Sequence, residues 1–205
     1  MDELLRIEKM YFYERQAWAQ GFIAIAGIDE AGRGPLAGPV VAASCILPED
    51  AIIIGLNDSK KISEKKRESL YEEIIEKAVS FGVGYSNHLE IDEINILNAT
   101  KRAMARAVSK LNPKPDYLLI DAVKLVEVDI PQNPIIKGDS LSFSIAAASI
   151  IAKVTRDRLM IEISEKYPEY NFSKHKGYGT KEHYDAIKLN GLCEIHRKTF
   201  TKGYW

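Results

Sequence analysis

The sequence contains little cysteine and no clustered metal-binding motif. Cys45 and Cys193 are the two cysteines among 205 residues, and neither has a partner at the spacing of a disulfide framework or a zinc site. This pattern argues against structural zinc and against a fold held by disulfides. We expect two free, buried thiols.

Long hydrophobic runs and a dominant charge are also lacking. No apolar run approaches the ~20 residues that span a bilayer, and the amino terminus lacks the basic-then-apolar order of a signal peptide. We therefore expect a cytoplasmic protein without a membrane partner. The formal net charge is −1, so overall charge gives no sign of a nucleic-acid binder.

Two local basic patches are nevertheless present. The first comprises Lys60, Lys61, Lys65, Lys66 and Arg67, and the second comprises Lys174, Lys176, Lys181, Arg197, Lys198 and Lys202. Either patch fits a nucleic-acid surface, but a plain solvated face is the simpler interpretation of each one alone.

The composition is that of an ordinary globular protein. Apolar residues make up 46% of the chain and charged residues 28%, and 205 residues suffice for one domain with a real core. We find no repeat, low-complexity tract or interdomain linker.

Residues 1–20 are predicted to form a helical extension, with an amphipathic helix over 3–18, ahead of the main domain at 21–205.

The main domain is organised around a predicted hairpin. An apolar run at Phe22–Ile28 reads as a buried strand, and a second run at Val40–Leu47 reads as its partner. Between them stand the adjacent acids Asp29 and Glu30, followed by the turn Gly32-Arg33-Gly34-Pro35. A solvated turn would explain an isolated Asp-Glu pair, but a buried pair needs a cation or a shared proton to offset its charge.

The remaining pattern alternates helices and strands. Strands are predicted over Val79–Asn87 and Tyr117–Asp121, and helices over residues 63–78, 90–111, 142–166 and 181–190. Ser63 and Thr180 are predicted helix caps, and Gly191 is a predicted helix stop. Residues 122–138 are expected to be loop and short strands.

Two further acids resemble the first pair in their placement. Asp121 ends an apolar strand, as Asp29 does, and Asp139 precedes the helix at 142–166. If the strands are neighbours, these carboxylates converge at one end of a sheet, although spacing alone does not establish this. Hard oxygen ligands of this kind suit Mg²⁺ or Mn²⁺, and two such ions support phosphodiester hydrolysis.

The basic stretch at residues 171–180 is predicted to lie outside the core. Its Tyr178 is flanked by glycines and could stack on a sugar or base, or could simply be a half-buried loop residue. We expect the histidines to be polar residues on the surface or on helix faces. These histidines are His88, His175, His183 and His196.

Seven segments together match a known family in order. They are GIDEAGRGPLAGPVVAA, NDSKKIS, IDEINILNAT, LLIDAV, IKGDSLSFSIAAASIIAKVTRDRLM, HKGYGTKEH and IHRKTF, spread from Phe22 to Phe200. On these segments the chain resembles ribonuclease HII, the prokaryotic type 2 ribonuclease H family. Asp121 is followed here by Ala122-Val123, where many members have Gly-Asn or a similar pair.

The resemblance implies an α/β fold with a ribonuclease H-like mixed sheet flanked by helices, in a single catalytic domain. It implies an endonuclease that hydrolyses the RNA strand of RNA–DNA hybrids and nicks 5′ of ribonucleotides embedded in duplex DNA. The expected cofactor is Mg²⁺ or Mn²⁺, and the expected products carry 3′-hydroxyl and 5′-phosphate ends. We expect a monomer; the sequence does not show whether a replication clamp binds.

The resemblance also assigns roles residue by residue. Asp29, Glu30, Asp121 and Asp139 match the catalytic, metal-binding carboxylates of the family. Gly32, Arg33 and Gly34 match the motif that reads the ribose 2′-hydroxyl, Tyr178 matches a tyrosine that packs on the adjoining deoxyribose, and Asn57 and Lys60 lie where a phosphate contact is expected.

Three alternatives fit the residues less well. The sister enzyme ribonuclease HIII normally carries an extra amino-terminal domain, whereas about 20 residues precede the core here. A hybrid-binding module without catalysis is disfavoured because all four acids are present. A phosphatase for small esters would use the glycine turn as an anion site, but would leave the loop around Tyr178 without a purpose.

Overall fold

The computed structural model describes residues 3–203, and its centre is a five-stranded mixed sheet. The strands are β1 Ile25–Ala31, β2 Val40–Ile46, β3 Ser80–Ser86, β4 Tyr117–Asp121 and β5 Gln132–Ile135. Their order across the sheet is β3-β2-β1-β4-β5. The predicted hairpin is confirmed, because β1 and β2 pair antiparallel, while β1 and β4 pair parallel.

Helices surround the sheet. They are α1 Glu3–Met10, α2 Phe12–Ala19, α3 Glu64–Lys77, α4 His88–Ser109, α5 Gly138–Leu141, α6 Phe143–Lys166, α7 Phe172–His175 and α8 Lys181–Asn190. The predicted caps are confirmed: the Ser63 and Thr180 side chains accept hydrogen bonds from the N–H groups of Lys66 and His183. Helix α4 is less regular than expected, because Asn95 has non-helical backbone angles and kinks it.

The two faces of the sheet have separate cores. Alternating side chains of β1 and β4, including Ile28 and Ile120, pack with helix α4, and small residues of helix α6 pack on the opposite face. A side chain at Gly27 would overlap the backbone of Ser144. Helix α6 therefore begins directly against β1, two residues before Asp29.

The amino-terminal residues form two helices rather than the single helix predicted over 3–18. The chain turns at Tyr11, whose hydroxyl donates a hydrogen bond to the Ala51 carbonyl at 2.8 Å. Tyr11 also packs on Phe143 at the start of helix α6, with 4.6 Å between ring centroids. The break accompanies burial of this aromatic side chain, and periodicity alone did not show it.

Glu14 of helix α2 is fully buried at the amino end of helix α6. Its Oε1 accepts hydrogen bonds from the Ser142 hydroxyl at 2.6 Å and from the Ser144 N–H at 2.9 Å. Burial raises the pKa of Glu14. The first helices are thus joined to the segment that carries Asp139.

The expectation of exposed histidines is wrong for three of the four. His175, His183 and His196 are buried with Phe172 and Tyr170, so the stretch at 171–180 also contributes to a core, contrary to its prediction. Each imidazole is held by backbone or ring partners; for example, the Nε2 atoms of His183 and His196 lie 3.1 Å apart. Hydrogen bonding of this kind lets polar rings be buried at acceptable cost.

Both cysteines are free, as predicted, although Cys193 is only half-buried. Within residues 3–203, no helix has the length and apolar character needed to cross a bilayer.

Candidate active site

Asp29 and Asp121 end neighbouring strands on the same face of the sheet. Ile28 and Ile120 are paired across β1 and β4, so the acid that follows each isoleucine lies at the same edge. Side chains alternate along a strand, which puts Asp29 on the face of Gly27, where helix α6 begins. By the same alternation Asp121 shares a face with Leu119, which packs on Ile145 of helix α6.

The turn before helix α6 brings Asp139 to this edge. Asp121 Oδ1 accepts a 2.7 Å hydrogen bond from the N–H of Gly138, the residue before Asp139. Lys137 allows the turn by adopting a left-handed conformation, with φ of 60°. The sequence predicted that these carboxylates converge only if the strands are neighbours. In the fold the strands are neighbours, and Asp29, Asp121 and Asp139 lie at the same edge of the sheet.

The acids at this edge of the sheet influence one another's pKa. Burial raises the pKa of Asp29, and the Glu30 and Asp121 carboxylates raise it further. Burial also raises the pKa of Asp139, with contributions from Asp58 and Asp121. Like charges that raise one another's pKa require a compensating cation or a shared proton.

Glu30 lies beside Asp29 but is oriented differently. Burial raises its pKa, while Arg33, whose Nη1 is 3.5 Å from Glu30 Oε1, opposes the rise. Its second oxygen, Oε2, is buried and has no hydrogen-bond partner among the described residues. An orphaned carboxylate oxygen at such a site is suited to a ligand.

Lys60 is the cation that faces the acids from the loop before helix α3. Burial opposes a charge on Lys60, yet the carboxylates of Asp29 and Asp139 outweigh that effect and raise its pKa. Asn57 lies in the same loop, where its side chain accepts a hydrogen bond from the N–H of Asp58 at 2.8 Å. Lys60 therefore lies at the acidic edge, which is the edge of the sheet that carries Asp29, Glu30, Asp121 and Asp139. The Asn57 side chain makes its hydrogen bond within its own loop.

Sequence reasoning missed Asp58. This buried acid contributes to the raised pKa of Asp139 and accepts hydrogen bonds within its own loop, including one from the Lys60 N–H at 2.9 Å. It lies inside the NDSKKIS segment, two residues after the apolar run at 51–56. That run was the available signal, but it forms no strand in the fold.

The acidic edge fits a divalent ion by chemistry. Among residues 3–203, no three His, Cys, Asp or Glu side chains are already grouped closely enough to hold a metal ion. The donors are nevertheless all carboxylate oxygens, which hard divalent cations prefer. Their mutual repulsion and the orphaned Glu30 Oε2 are the features that a bound cation would relieve.

The glycine turn lies beside these acids. Gly32 has a φ of 96°, a region that L-residues rarely adopt, and a side chain there would overlap the Arg156 guanidinium. Arg33 and Gly34, the next two residues, are exposed. Ala122, directly after Asp121, also has a positive φ, of 56°.

Tyr178 is held next to the glycine turn. The N–H of Leu36 donates to the Gly177 carbonyl at 2.8 Å, and a side chain built at Gly34 would come within 3.7 Å of the Tyr178 ring. The ring is 42% exposed. The structure thus unites the acids, the turn and the aromatic loop, which are separated by up to about 150 residues in the chain.

Two buried arginines also belong to this region and were not identified as site residues. Arg156 and Arg197 are 1% and 0% exposed, so Arg197 is not part of the second basic surface patch, which corrects that interpretation. Arg156 stands four residues from both Ala152 and Met160, which are buried, and this helical spacing was the available signal. For Arg197 the sequence offered no comparable pattern.

Comparisons with known proteins identify the family of the chain. The family model described as ribonuclease HII matches residues 26–205. A curated ribonuclease HII from Acetivibrio thermocellus is 59% identical over 202 residues, covering 98% of this chain and 79% of that protein.

Two solved structures have a similar fold. The ribonuclease H2 of Pyrococcus horikoshii has a TM-score of 0.72 and 30% identity, covering 86% of this chain and 93% of its own. The ribonuclease HII of Archaeoglobus fulgidus, solved as a complex with PCNA, has a TM-score of 0.72 and 28% identity, covering 85% and 94%. The expected mixed sheet flanked by helices is confirmed.

Proposed function

The chain belongs to the ribonuclease HII family and is a ribonuclease H endonuclease, and from this premise we propose that it also nicks duplex DNA on the 5′ side of an embedded ribonucleotide. The observation that carries the proposal is the position of the turn at Gly32–Gly34. It lies between the converging acids and the exposed ring of Tyr178. A substrate sugar on this turn would bring its phosphate to the acids.

The main chain of the turn suits recognition of a sugar hydroxyl. The 2′-hydroxyl distinguishes RNA from DNA, and a site built to hydrogen-bond a hydroxyl can reject an analogue without it by about 10⁴–10⁵. Backbone groups at a glycine turn contact the sugar without reading the base. The enzyme would therefore be selective for the sugar and indifferent to sequence.

Asp29, Glu30, Asp121 and Asp139 would hold Mg²⁺ or Mn²⁺. Bound there, a divalent ion would supply the positive charge that activates a water molecule and stabilises the departing oxygen. The carboxylates would orient the phosphate, and Lys60 would add a positive charge next to it. Hydrolysis joins the water oxygen to phosphorus and breaks the bond to O3′, leaving a 3′-hydroxyl and a 5′-phosphate.

Tyr178 would pack on the neighbouring deoxyribose. Its ring stands beside Gly34 and is partly exposed, so its face is open to an apolar contact with a sugar, which carries no sequence preference. With the turn on one sugar and the ring on the next, the site would favour a junction between RNA and DNA.

A duplex with one ribonucleotide tests the proposal directly. With Mg²⁺ or Mn²⁺, we expect one nick on the 5′ side of the ribonucleotide and none in the matched all-DNA duplex. Equal cutting of both duplexes would refute recognition of the sugar by the turn. Hydrolysis of a small phosphate ester with no cutting of either duplex would favour the phosphatase alternative.

A further inference from the structure

Arg156 and Arg197 are charged groups buried without a carboxylate partner. Each is at most 1% exposed, and among residues 3–203 neither takes part in an ion pair. Burying an unpaired charge is strongly unfavourable. Main-chain carbonyls compensate both guanidinium groups, together with the rings of Tyr178 near Arg156 and Phe200 near Arg197.

The compensating groups are carbonyls of one short segment. Arg197 donates to the carbonyls of Gly32 (Nη2, 2.6 Å), Arg33 (Nη1, 2.9 Å) and Gly38 (Nε, 2.9 Å). Arg156 donates to the carbonyls of Pro39 (Nε, 3.0 Å) and Ala37 (Nη2, 3.4 Å). The two arginines thus bind different carbonyls of the segment. Of the two, only Arg197 donates hydrogen bonds to carbonyls of the glycine turn.

Fixing these carbonyls also fixes the N–H groups of the turn. In a trans peptide the C=O and N–H point in opposite directions. The Gly32 carbonyl shares its peptide plane with the Arg33 N–H, and the Arg33 carbonyl shares its plane with the Gly34 N–H. Because Arg197 holds both carbonyls towards the interior, both N–H groups are directed to the exposed side of the turn.

These two N–H groups are free to donate. Among the described residues, neither the Arg33 nor the Gly34 N–H has a hydrogen-bond partner in the protein. A guanidinium on a carbonyl oxygen polarises the peptide and strengthens its N–H as a donor. The exposed edge of the turn therefore presents two preorganised donors beside Tyr178.

We propose that Arg197 is a positioning residue that sets the ribose specificity of the site, by holding the Arg33 and Gly34 N–H groups outward as donors to the 2′-hydroxyl oxygen. This inference rests on the proposed function. Lysine cannot replace Arg197, because a single ammonium lacks the planar fork that reaches two carbonyls of the turn and a third at Gly38.

Binding measurements on an inactive background test the role without cleavage. The Asp29→Asn protein and its Asp29→Asn/Arg197→Lys counterpart are compared for affinity to a duplex with one ribonucleotide and to the all-DNA duplex. We expect the ribonucleotide preference of Asp29→Asn to fall at least about tenfold with Arg197→Lys, while affinity for the all-DNA duplex changes less than about threefold.

Arg156→Lys is the matched buried control. It removes an arginine of equal burial that packs beside Gly32 and the Tyr178 ring but donates its hydrogen bonds to the carbonyls of Ala37 and Pro39. It should cost similar stability but change the ribonucleotide preference less than Arg197→Lys, because Arg156 makes no hydrogen bond to the carbonyls of Gly32 and Arg33. Arg158→Lys, at an exposed residue of the same helix paired with Glu68 and Glu72, should leave both affinities unchanged. Urea unfolding of each variant identifies the conditions in which all are folded.

The possible outcomes distinguish a failure of this inference from a failure of the proposed function. A ribonucleotide preference that survives in Arg197→Lys would overturn this inference and leave the proposed function standing. A preference lost equally in Arg156→Lys would also overturn it, since a general loosening of the segment would then be responsible. No preference in the Asp29→Asn parent, with no nicking by the native chain, would refute the proposed function and this inference together.

Discussion

Asp29 and Asp121 occupy equivalent positions one residue beyond the paired Ile28 and Ile120 of two parallel strands. Parallel pairing without a bulge makes their approach unavoidable, because the strands advance together along the sheet. Burial and the neighbouring acids raise the pKa of Asp29. At this edge the pairing of the strands therefore brings like charges together.

The first prediction concerns Asp29→Asn. Because the folded pKa of Asp29 is raised, the stability associated with its protonated form is present below the unfolded pKa and is lost as pH rises through the folded value. In metal-free buffer near neutral pH, the amide should therefore raise the melting temperature. With metal, cleavage should fall at least about 100-fold, because a ligand for the ion is removed.

Differential scanning calorimetry and the ribonucleotide nicking assay measure the two effects. Asp129→Asn is the control, since Asp129 is exposed and the change should affect neither quantity. A lower melting temperature for Asp29→Asn would mean that its carboxylate is structural.

The second prediction compares alanine at two glycines of the turn. Gly32→Ala should destabilise the protein by more than the about 1–2 kcal/mol cost of a left-handed residue, because its methyl group also displaces Arg156. Gly34→Ala should change stability by less than about 0.5 kcal/mol, since its methyl would meet Tyr178 at an ordinary 3.7 Å. Gly34→Ala should nevertheless reduce nicking, because the methyl occupies the face offered to the sugar.

Urea unfolding and nicking rates are measured for both variants. Full activity of Gly34→Ala would place the substrate elsewhere. Equal stability of the two variants would contradict the assigned backbone angle at Gly32.

The third prediction concerns Glu14. Glu14→Ala leaves the Ser142 hydroxyl and the Ser144 N–H buried without an acceptor, which should cost about 2–4 kcal/mol. For a protein of this size, each kcal/mol lowers the melting temperature by about 2–4 °C. Glu14→Gln should cost less, because the amide oxygen can accept both bonds and no charge is buried.

Glu8→Ala provides the control for the third prediction. Glu8 lies in the preceding helix and makes an exposed ion pair with Arg15, so its loss should cost less than about 1 kcal/mol. A Glu14→Ala protein as stable as Glu8→Ala would show that the two serine bonds are replaced by water.

The fourth prediction concerns acid stability. Burial lowers the pKa of His183 to about 4 in the fold, against about 6.5 when unfolded. A His buried in its neutral form contributes stability that is present above the unfolded pKa and is lost as pH falls towards the folded value. Between about pH 7 and pH 5, the parent should lose at most about 2 kcal/mol through His183.

Urea unfolding at the two pH values measures this loss, and His183→Gln should reduce it. Carboxylates whose pKa burial raises, such as Glu14 and Asp29, contribute equally to both proteins, so the difference between parent and variant isolates His183. An identical loss in His183→Gln would assign the acid sensitivity to His175 or His196, whose pKa values burial also lowers.

Local patterns predicted much of the fold. Apolar runs located β1, β2 and β4, and capping residues located the starts of helices α3 and α8, because these signals depend on neighbours within a few residues. The break at Tyr11 and the kink at Asn95 were missed, since each reflects local geometry that the helical spacing does not encode.

The site was predictable where its residues end strands. Asp29 and Asp121 follow apolar runs, but their meeting depends on β1 pairing with β4, a contact across about 90 residues. Arg197 and the buried histidines were misjudged because polar residues are usually exposed. Arg197 is buried against the carbonyls of Gly32 and Gly38, which lie 165 and 159 residues away. The histidines are held by carbonyls three to five residues away and by one another.

The bond between Arg197 and the Gly32 carbonyl spans 165 positions of the chain. During synthesis, the first hairpin leaves the ribosome long before residue 197 is made. The glycine turn can acquire its final shape only once nearly all of the domain has emerged, so the ribose selection that we propose would be absent from a partly synthesised chain.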